Sequence, residues 1–481
     1  MNTSAQGDKG QARVGLAAFC ANWFTDVGLQ SGGSDLPDLL RDSHASAVDF
    51  LRRCFGQVVA PGVISTNAEA ERAAQAFQAE AVDAVILVHL MWNEDPPLIA
   101  LLERCAGRPL VWWDYHPTGQ LPAYLRVNDL FRYSGTVGAL QGSAVLQRRG
   151  LAPLIVSGAP GDVDLTRELR ALDVALGIRR AMAGMPAGRI AGQCMIMFGT
   201  AVDEEALKRT FGVRLVEISA REYASACAAV EVRRAEEFRR EIAARFPVQG
   251  VSEESLTLAC RNTLALDDLV VRYGLGAVAI QDLDEELHRL AGVRPCLCPP
   301  LSAERGVAFG MEADLNATLG LLAGMKATAG PCMYTEIFAY DPRQDLLLMG
   351  HAGVHDPRLA LREGVTIVPD AEYQHADRLE GAWQEFVMDS GPVTCLSLYD
   401  TGRGYRMVAF QGRSLGGPRR LQGFAHALVR PEVPVSMLIP RLLRLGMTQH
   451  FAVVPGDVVG VMAKWCQLTG IHFHLETPCG E

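Results

Sequence analysis

Short apolar runs alternate with amphipathic stretches along the first part of the chain, from Arg13 onward. The apolar runs are RVGLAAFC, QVVA, DAVILVHL and PLVWW, and residues 39–55 and 68–81 repeat their apolar positions at helical spacing. Short apolar runs predict buried strands, and their alternation with helices is typical of βαβ units built on a parallel sheet. We therefore predict a Rossmann-like domain over residues 1–160.

The same alternation resumes in the middle of the chain. It runs through an amphipathic stretch at 164–185, the apolar run RIAGQCMIMF, a helix at 203–211, the run VRLVEI, a charged helix at 221–245, a helix at 253–273 and the run AVAIQD. This order predicts a second Rossmann-like βα domain over residues 161–305.

Apolar runs separated by Gly, Pro and Asp dominate beyond about residue 346, where few helical periods occur. LLLMG, VTIV, VTCLSLYD and YRMVAFQG are such runs, and they are typical of antiparallel strands. The fold class predicted for the whole chain is α/β, with two Rossmann-like βα domains followed by a β-rich C-terminal domain. That third domain, with a helix that precedes it, covers residues 306–481.

Composition and charge restrict the possible partners and the compartment. The 481 residues carry a formal net charge of -10, and no dense Lys/Arg block suggests a nucleic-acid partner. The first dozen residues lack the pattern of a secretion signal, and no apolar run approaches the ~20 residues that span a membrane. The twelve cysteines are scattered without a Cys-x-x-Cys pair. We expect reduced cysteines, no membrane association and a cytoplasmic protein.

Glycines punctuate a predicted helix after the first domain's central strands. Gly135, Gly138 and Gly142 do not match the G-x-G-x-x-G spacing of a dinucleotide site, and no Walker-type phosphate loop occurs. We therefore predict no nicotinamide cofactor.

Candidate metal ligands are concentrated between residues 310 and 351, in GMEADLNATLG, MYTEIFAY and LLLMGHAG. Glu312, Glu336 and His351 lie there, and His450 in GMTQHFAVVPGD is a distant fourth candidate. Two carboxylates with imidazoles suit a hard or borderline divalent cation, such as Mn²⁺, Mg²⁺ or Co²⁺. The sequence predicts that one cation is bound by all four side chains.

Each candidate also has a purely structural interpretation. Glu312 opens a helical run, so we expect it in the first turn, where the helix dipole also favours a carboxylate. Strand alternation places Glu336 on one face with Tyr334 and Phe338, which indicates a pocket wall, because a carboxylate in an apolar strand needs a partner. His351 at a strand end and His450 in an apolar strand are also compatible with buried structural histidines.

These motifs together resemble the L-fucose and L-arabinose isomerase superfamily, from about residue 294 to the end. GMEADLNATLGLLAGM is similar to the fucose-isomerase-like branch, while Glu at 336 is similar to the arabinose branch. The N-terminal segment agrees only in its general βα plan and in SGTVGALQGSAVL, which is similar to the fucose-isomerase-like branch. Gln449 departs from the arabinose enzymes, which have a second histidine there. The resemblance implies three domains, Glu312, Glu336, His351 and His450 as Mn²⁺ ligands, and a homo-oligomer with active sites between subunits.

The function implied by the resemblance is aldose–ketose interconversion of a free pentose or 6-deoxyhexose. This reaction moves a proton between C1 and C2 through an enediol chelated by the cation, and it needs an acid/base pair, for which Glu312 and Glu336 are the candidates. Two alternatives stay open: a metal-dependent sugar lyase or aldolase, and a non-catalytic sugar-binding protein. A hydride shift is also compatible with the same residues.

Overall fold

The computed structural model describes residues 11–24, 35–360, 364–370, 372 and 380–478. Residues 1–10 of the polar N-terminal stretch considered above lie outside the described residues. The chain divides into two compact units, Met1–Arg180 and Ala181–Glu481. The three-domain division at residues 160 and 305 stays a prediction, as does the cytoplasmic location.

The first unit contains a parallel sheet in the strand order β2-β1-β4-β5-β6, with β3 also paired to β1. Its strands are β1 (Arg13–Phe19), β2 (Gln57–Val59), β3 (Val63–Ile64), β4 (Ala84–His89), β5 (Leu110–Tyr115) and β6 (Leu154–Gly158). Its helices are α1 (Leu36–Cys54), α2 (Asn67–Ala79), α3 (Asp95–Arg104), α4 (Val127–Arg132), α5 (Gly135–Arg148) and α6 (Val163–Met182). The predicted βα plan of this segment is therefore present.

The second unit begins with another parallel sheet, in the order β10-β9-β7-β8. Its strands are β7 (Pro186–Ile190), β8 (Arg214–Ile218), β9 (Ala277–Ile280) and β10 (Ala308–Met311). The helices are α7 (Glu204–Phe211), α8 (Ala220–Ala229), α9 (Val232–Arg245), α10 (Glu253–Tyr273), α11 (Glu285–Ala291) and α12 (Pro300–Arg305). Because the strand order reverses beside β7, the carboxyl ends of these strands form the edge where such sheets bind ligands.

The rest of the second unit is an antiparallel barrel. Its strands are β11 (Met333–Asp341), β12 (Leu346–His351), β15 (Gly391–Asp400), β16 (Tyr405–Ser414), β17 (Ala425–Pro431) and β18 (Phe451–Pro455). The order β15-β18-β11-β12-β17-β16 closes on itself because β16 also pairs with β15. Strand β19 (His472–Glu476) adds to β16, while β13 (Thr366–Pro369) and β14 (Ala382–Glu385) form a separate pair.

Helix α13 (Leu315–Thr328) contacts both the parallel sheet, at β9 and β10, and the barrel, at β15 and β18. Its residues from Leu315 to Gly324 are all buried, as expected for a helix that is apolar on every side. A Cβ at Gly324 would lie 2.6 Å from the side chain of Val454, so the close approach to the barrel requires glycine there. The helices α14 (Val435–Leu445) and α15 (Val459–Thr469) complete this unit.

Two predicted elements differ from the structure. The strand expected in RIAGQCMIMF is β7, which starts earlier and ends at Ile190, because Ala191 and Gly192 adopt positive φ angles of 64° and 81°. The charged helix predicted at 221–245 is two helices, since Val230 and Glu231 between them are extended.

The described cysteines are largely buried and unpaired, as expected for reduced core residues. Eleven cysteines fall within the described residues; all are free thiols, and all but the partly buried Cys298 are buried. Within the same residues, no helix combines the length and the apolar character needed to cross a membrane.

Candidate metal centre

Glu312 lies in the turn between β10 and α13, at the carboxyl end of the parallel sheet. Both Glu312 and Ala313 are left-handed, each with φ of 57°, and the helix begins only at Leu315. The prediction that Glu312 occupies the first helical turn is therefore wrong, because Asp314 is the residue that caps this helix. Left-handed non-glycine residues are strained and tend to occur at functional sites. Helix capping thus no longer accounts for Glu312.

Asp282 stabilises this turn from the end of the neighbouring strand β9. The backbone N–H of Glu312 donates to Asp282 Oδ1 at 2.9 Å, and Arg294 Nη1 donates to the other oxygen at 3.0 Å. Asp282 and Arg294 are both 1% exposed. The carboxylate of Glu312 is consequently carried on a turn with buried polar support.

His450 immediately precedes β18, which brings it to the Glu312 turn. Its Nε2 is 3.1 Å from Glu312 Oε2, and its Nδ1 donates to Asp314 Oδ2 at 2.8 Å. Burial lowers the pKa of His450, but Asp314 and Glu312 raise it to about 10 overall. A cation that binds at Nε2 must therefore displace a proton.

His351 is the last residue of β12, as the sequence predicted. Its Nδ1 donates to the carbonyl of Ala352 at 2.8 Å, and its Nε2 is 3.9 Å from Glu312 Oε1. Burial, followed by the charge of His450, lowers the pKa of His351. The neutral ring therefore directs the lone pair of Nε2 towards Glu312.

Three of the four predicted ligands lie together. One ligand atom each from Glu312, His351 and His450 fall within 4.8 Å of one another, and all three residues are buried. The ring of Tyr334 packs against both imidazoles, with ring centroids 5.1 Å from His351 and 5.0 Å from His450. The group has the size and the donor atoms that a divalent cation needs.

Burial raises the pKa of Glu312, but the hydrogen bond and charge of His450 and the charge of His351 lower it below the ordinary value overall. Gln449 also donates to Glu312 Oε2, at 3.3 Å. Glu312 is therefore held as a carboxylate in a largely buried position.

Glu336 lies beside this group without belonging to it. Its Oε1 is 4.0 Å from His351 Nε2, and its side chain is 28% exposed. Burial and the charge of Glu312 raise the pKa of Glu336 to about 7. A nearby dication would lower the same pKa, since an opposite charge favours the carboxylate.

The face predicted to carry Tyr334, Glu336 and Phe338 is interrupted. The pairing of β11 with β12 shifts its register between Ile337 and Ala339, so Phe338 occupies an irregular position. Tyr334 is 1% exposed and Phe338 is 40% exposed. A bulge of this kind changes the direction of side chains, which simple alternation does not predict.

Three polar contributors to the site were absent from the predicted site residues: Asp282, Asp314 and Gln449. The MEAD motif placed Asp314 two residues after Glu312, and Gln449 is adjacent to His450. The sequence offers less indication that Asp282 belongs to the site, because its contact with Glu312 depends on β9 and β10 being neighbours in the sheet.

No protein-family model matches the chain. Curated relatives named sulfoquinovose isomerase, from Priestia aryabhattai and Priestia megaterium, are each 22% identical over 452 residues, which cover 90% of this chain and 94% of the relative. A sulfoquinovose isomerase from Alkalicoccus urumqiensis is 26% identical over 197 residues, or 41% of this chain and 43% of the relative. By these similarities the chain is an isomerase, an intramolecular oxidoreductase of the aldose–ketose type, as the sequence predicted.

Proposed function

We propose that this isomerase is metal-dependent, with one divalent cation bound by Glu312, His351 and His450 and with Glu336 as the principal acid/base group. The observation that carries the proposal is the convergence of one carboxylate and two buried imidazoles within 4.8 Å. Among the described residues, His351 Nε2 is buried and has no hydrogen-bond partner; its nearest carboxylate oxygens, on Glu312 and Glu336, are 3.9 and 4.0 Å away. Buried polar atoms rarely lack a partner, so this nitrogen supports a ligand in the group.

The donor set fits Mn²⁺, Mg²⁺ or Co²⁺. A carboxylate oxygen and imidazole nitrogens suit these ions, and none of the described cysteines belongs to the group. When bound, the cation would supply Lewis-acid polarisation of the oxygens on C1 and C2, the two carbons whose oxidation states are exchanged.

Glu336 has the properties of the group that moves the proton. In the cation-free protein the surroundings of Glu336 raise its pKa to about 7; a bound cation would lower this pKa and favour the carboxylate, the form that accepts a proton. Its side chain is also more exposed than that of Glu312, which allows contact with a substrate. Glu336 would take the proton from one carbon of the C1–C2 pair and return it to the other. Glu312 would mainly hold the cation, with a secondary part in proton transfer.

The substrate that we propose is a 6-deoxyhexose, and first among these sulfoquinovose, which is 6-deoxyglucose with a sulfonate at C6. The names of the relatives support this choice. Free pentoses and other 6-deoxyhexoses, which the resemblance to the L-fucose and L-arabinose isomerases implies, are the alternatives. We also propose the homo-oligomer with active sites between subunits that this superfamily implies.

Incubation of the protein with Mn²⁺ and a panel of sugars tests the function. The panel contains sulfoquinovose, 6-deoxyglucose, L-fucose and L-arabinose, and NMR detects each ketose product. We expect one aldose to be converted to a ketose of equal carbon number, with turnover lost after chelation and restored by Mn²⁺. Turnover that is unaffected by thorough chelation would contradict the metal-dependent mechanism, and shorter products would indicate a lyase.

A further inference from the structure

We propose that Asp314 is a positioning residue for the metal centre: it fixes the tautomer and orientation of His450 so that Nε2 is available to the cation. This inference rests on the proposed function, since it assigns the support of one proposed ligand. Asp314 does not belong to the three-residue ligand group, and both of its oxygens have other partners.

The carboxylate of Asp314 is completely buried and is engaged on both sides. Oδ1 accepts the backbone N–H of Ala317 at 2.9 Å and thereby caps α13, while Oδ2 accepts His450 Nδ1 at 2.8 Å. The backbone carbonyl of Asp314 also accepts the hydroxyl of Thr318 at 2.6 Å. The side chain therefore has little freedom to rotate away from His450.

A carboxylate can only accept a hydrogen bond, so Nδ1 of His450 must carry a proton. The remaining nitrogen, Nε2, lies 3.1 Å from Glu312 Oε2 and is the ring nitrogen that can exchange its proton for a cation. Ligating histidines generally donate their second ring N–H to a carboxylate or a carbonyl, which fixes the ring and raises its basicity. Asp314 supplies that acceptor for His450.

Comparison with His351 shows why a substitution at Asp314 can test how the ligand histidines are held. His351 has the same arrangement, but its Nδ1 donates to the backbone carbonyl of Ala352, which no side-chain substitution removes. Asp314 also joins two elements, because the same carboxylate caps α13 and holds the residue before β18. A change at Asp314 therefore tests the support of one ligand while the other ligand keeps its own.

Asp314→Asn and Asp314→Ser are the two test variants in the full-length protein. Both keep an oxygen that can cap the helix, because Asn and Ser are favoured N-cap residues. In Asp314→Asn, when the oxygen caps the helix, the amide NH₂ faces His450 and favours a proton on Nε2. In Asp314→Ser the partner of Nδ1 is removed. We expect the dissociation constant for Mn²⁺, measured by the electron paramagnetic resonance of the free ion, to rise about 10- to 100-fold in both.

Asp203→Asn is the matched control. Asp203 is the N-cap of α7 in the same unit, and its side chain accepts the N–H groups of Glu205 and Ala206. The control removes the same charge from the same kind of cap, so its Mn²⁺ affinity should equal that of the wild type.

A double substitution separates a positioning role from a general structural one. If Asp314 acts through His450, then Asp314→Asn added to His450→Gln should lower Mn²⁺ affinity no further than His450→Gln alone. The proposal would be overturned if Asp314→Asn lowered the Mn²⁺ affinity by the same factor in the His450→Gln background as in the wild type. Wild-type affinity in both Asp314→Asn and Asp314→Ser would overturn it as well. If the wild-type protein itself does not bind Mn²⁺, the metal-dependent function is what fails.

Discussion

At the scale of single residues, two carboxylates in one site have opposite surroundings. Glu312 lies against two imidazoles, which lower its pKa, while partial burial and the negative charge of Glu312 raise the pKa of Glu336. Two carboxylates whose environments separate their pKa values are typical of a site that divides acid/base work from charge stabilisation. The proposed ligation by Glu312 and the proposed proton transfer by Glu336 can therefore be tested separately.

Glu336→Gln should reduce kcat by at least about 100-fold, because a general acid/base contributes about 10² to 10⁴. Its Mn²⁺ affinity should change only a few-fold, since Glu336 lies outside the three-residue ligand group. Glu312→Gln is the comparison variant and should lose both turnover and tight Mn²⁺ binding. Steady-state kinetics and calorimetric titration with Mn²⁺ measure the two effects. Equal loss of Mn²⁺ affinity in both variants would make Glu336 a ligand as well.

The candidate ligands could be recognised in the sequence, but the polar contacts and the turn that hold them in place could not. A charged residue in an apolar strand, at Glu336, and a histidine at a strand end, His351, were detectable because burial of such groups is costly without a partner. The role of Asp282 depends on strand neighbours 30 residues apart in the chain. The left-handed turn at Glu312 has no glycine to mark it, so local propensity predicted a helix instead.

At the scale of elements, one buried arginine joins the carboxyl end of the second parallel sheet to the segment after β13. Arg294 Nη1 binds Asp282 at 3.0 Å, and its Nε and Nη2 bind Asp370 at 2.7 and 3.0 Å. Nη2 also binds Glu372 at 2.7 Å, and the guanidinium lies 4.7 Å from the ring centre of Trp383. Because Asp282 supports the Glu312 turn, this network extends to the candidate metal centre.

Arg294→Met should destabilise the Ala181–Glu481 unit by about 3–5 kcal/mol, because it leaves buried carboxylates without their counter-charge. Arg234→Met is the control: Arg234 binds Asp268 at 2.8 Å, but both side chains are about 40% exposed. An exposed pair of this kind contributes about 0–1 kcal/mol. Calorimetric unfolding of both variants measures the difference. Similar midpoints for the two would show that the network adds little to stability.

Helices were predicted better than strand ends. The helix at 253–273 has the predicted bounds, because its apolar period is clear and Ser252 and Gly274 mark its two ends. The break at Val230 was not detectable, since the apolar spacing continues across α8 and α9. Strand β7 was placed too late because the apolar residues of the following loop extend its pattern; Met195, Ile196 and Phe198 are each at least 70% exposed.

At the scale of the whole molecule, every candidate residue of the metal centre belongs to one compact unit. Glu312, Glu336, His351 and His450, with Asp282 and Asp314, all lie within Ala181–Glu481. Binding of a cation to the folded protein stabilises the structure that forms the site, by about 2.7 kcal/mol when the free cation is 100 times the dissociation constant. The effect should be concentrated in that unit.

Hydrogen exchange with and without Mn²⁺ locates the effect along the chain. We expect the largest gain in protection in peptides that contain the Glu312 turn, the end of β12 and the start of β18. Glu312→Gln, treated with the same Mn²⁺ concentration, is the control and should show little gain. A largest gain within Met1–Arg180 would place the cation elsewhere in the protein.

The overall class could be predicted from the sequence, whereas the closure of the barrel could not. Parallel βα units and antiparallel strands follow from local patterns at periods of 3.6 and 2. Closure depends on β18 pairing with both β11 and β15, partners that lie far from it in the chain. Such long-range pairing is set by packing and topology, for which a single sequence carries no local signal.

The position of β18 also has a consequence for how the protein matures. This strand pairs with both β11 and β15 and is the last strand of the ring in chain order, and His450 stands directly before it. The proposed ion pocket is thus incomplete until β18 has docked, a slow step because the partners of this strand are remote in sequence. Uptake of the proposed ion would then be a late maturation event, and it would mark those molecules whose ring has closed.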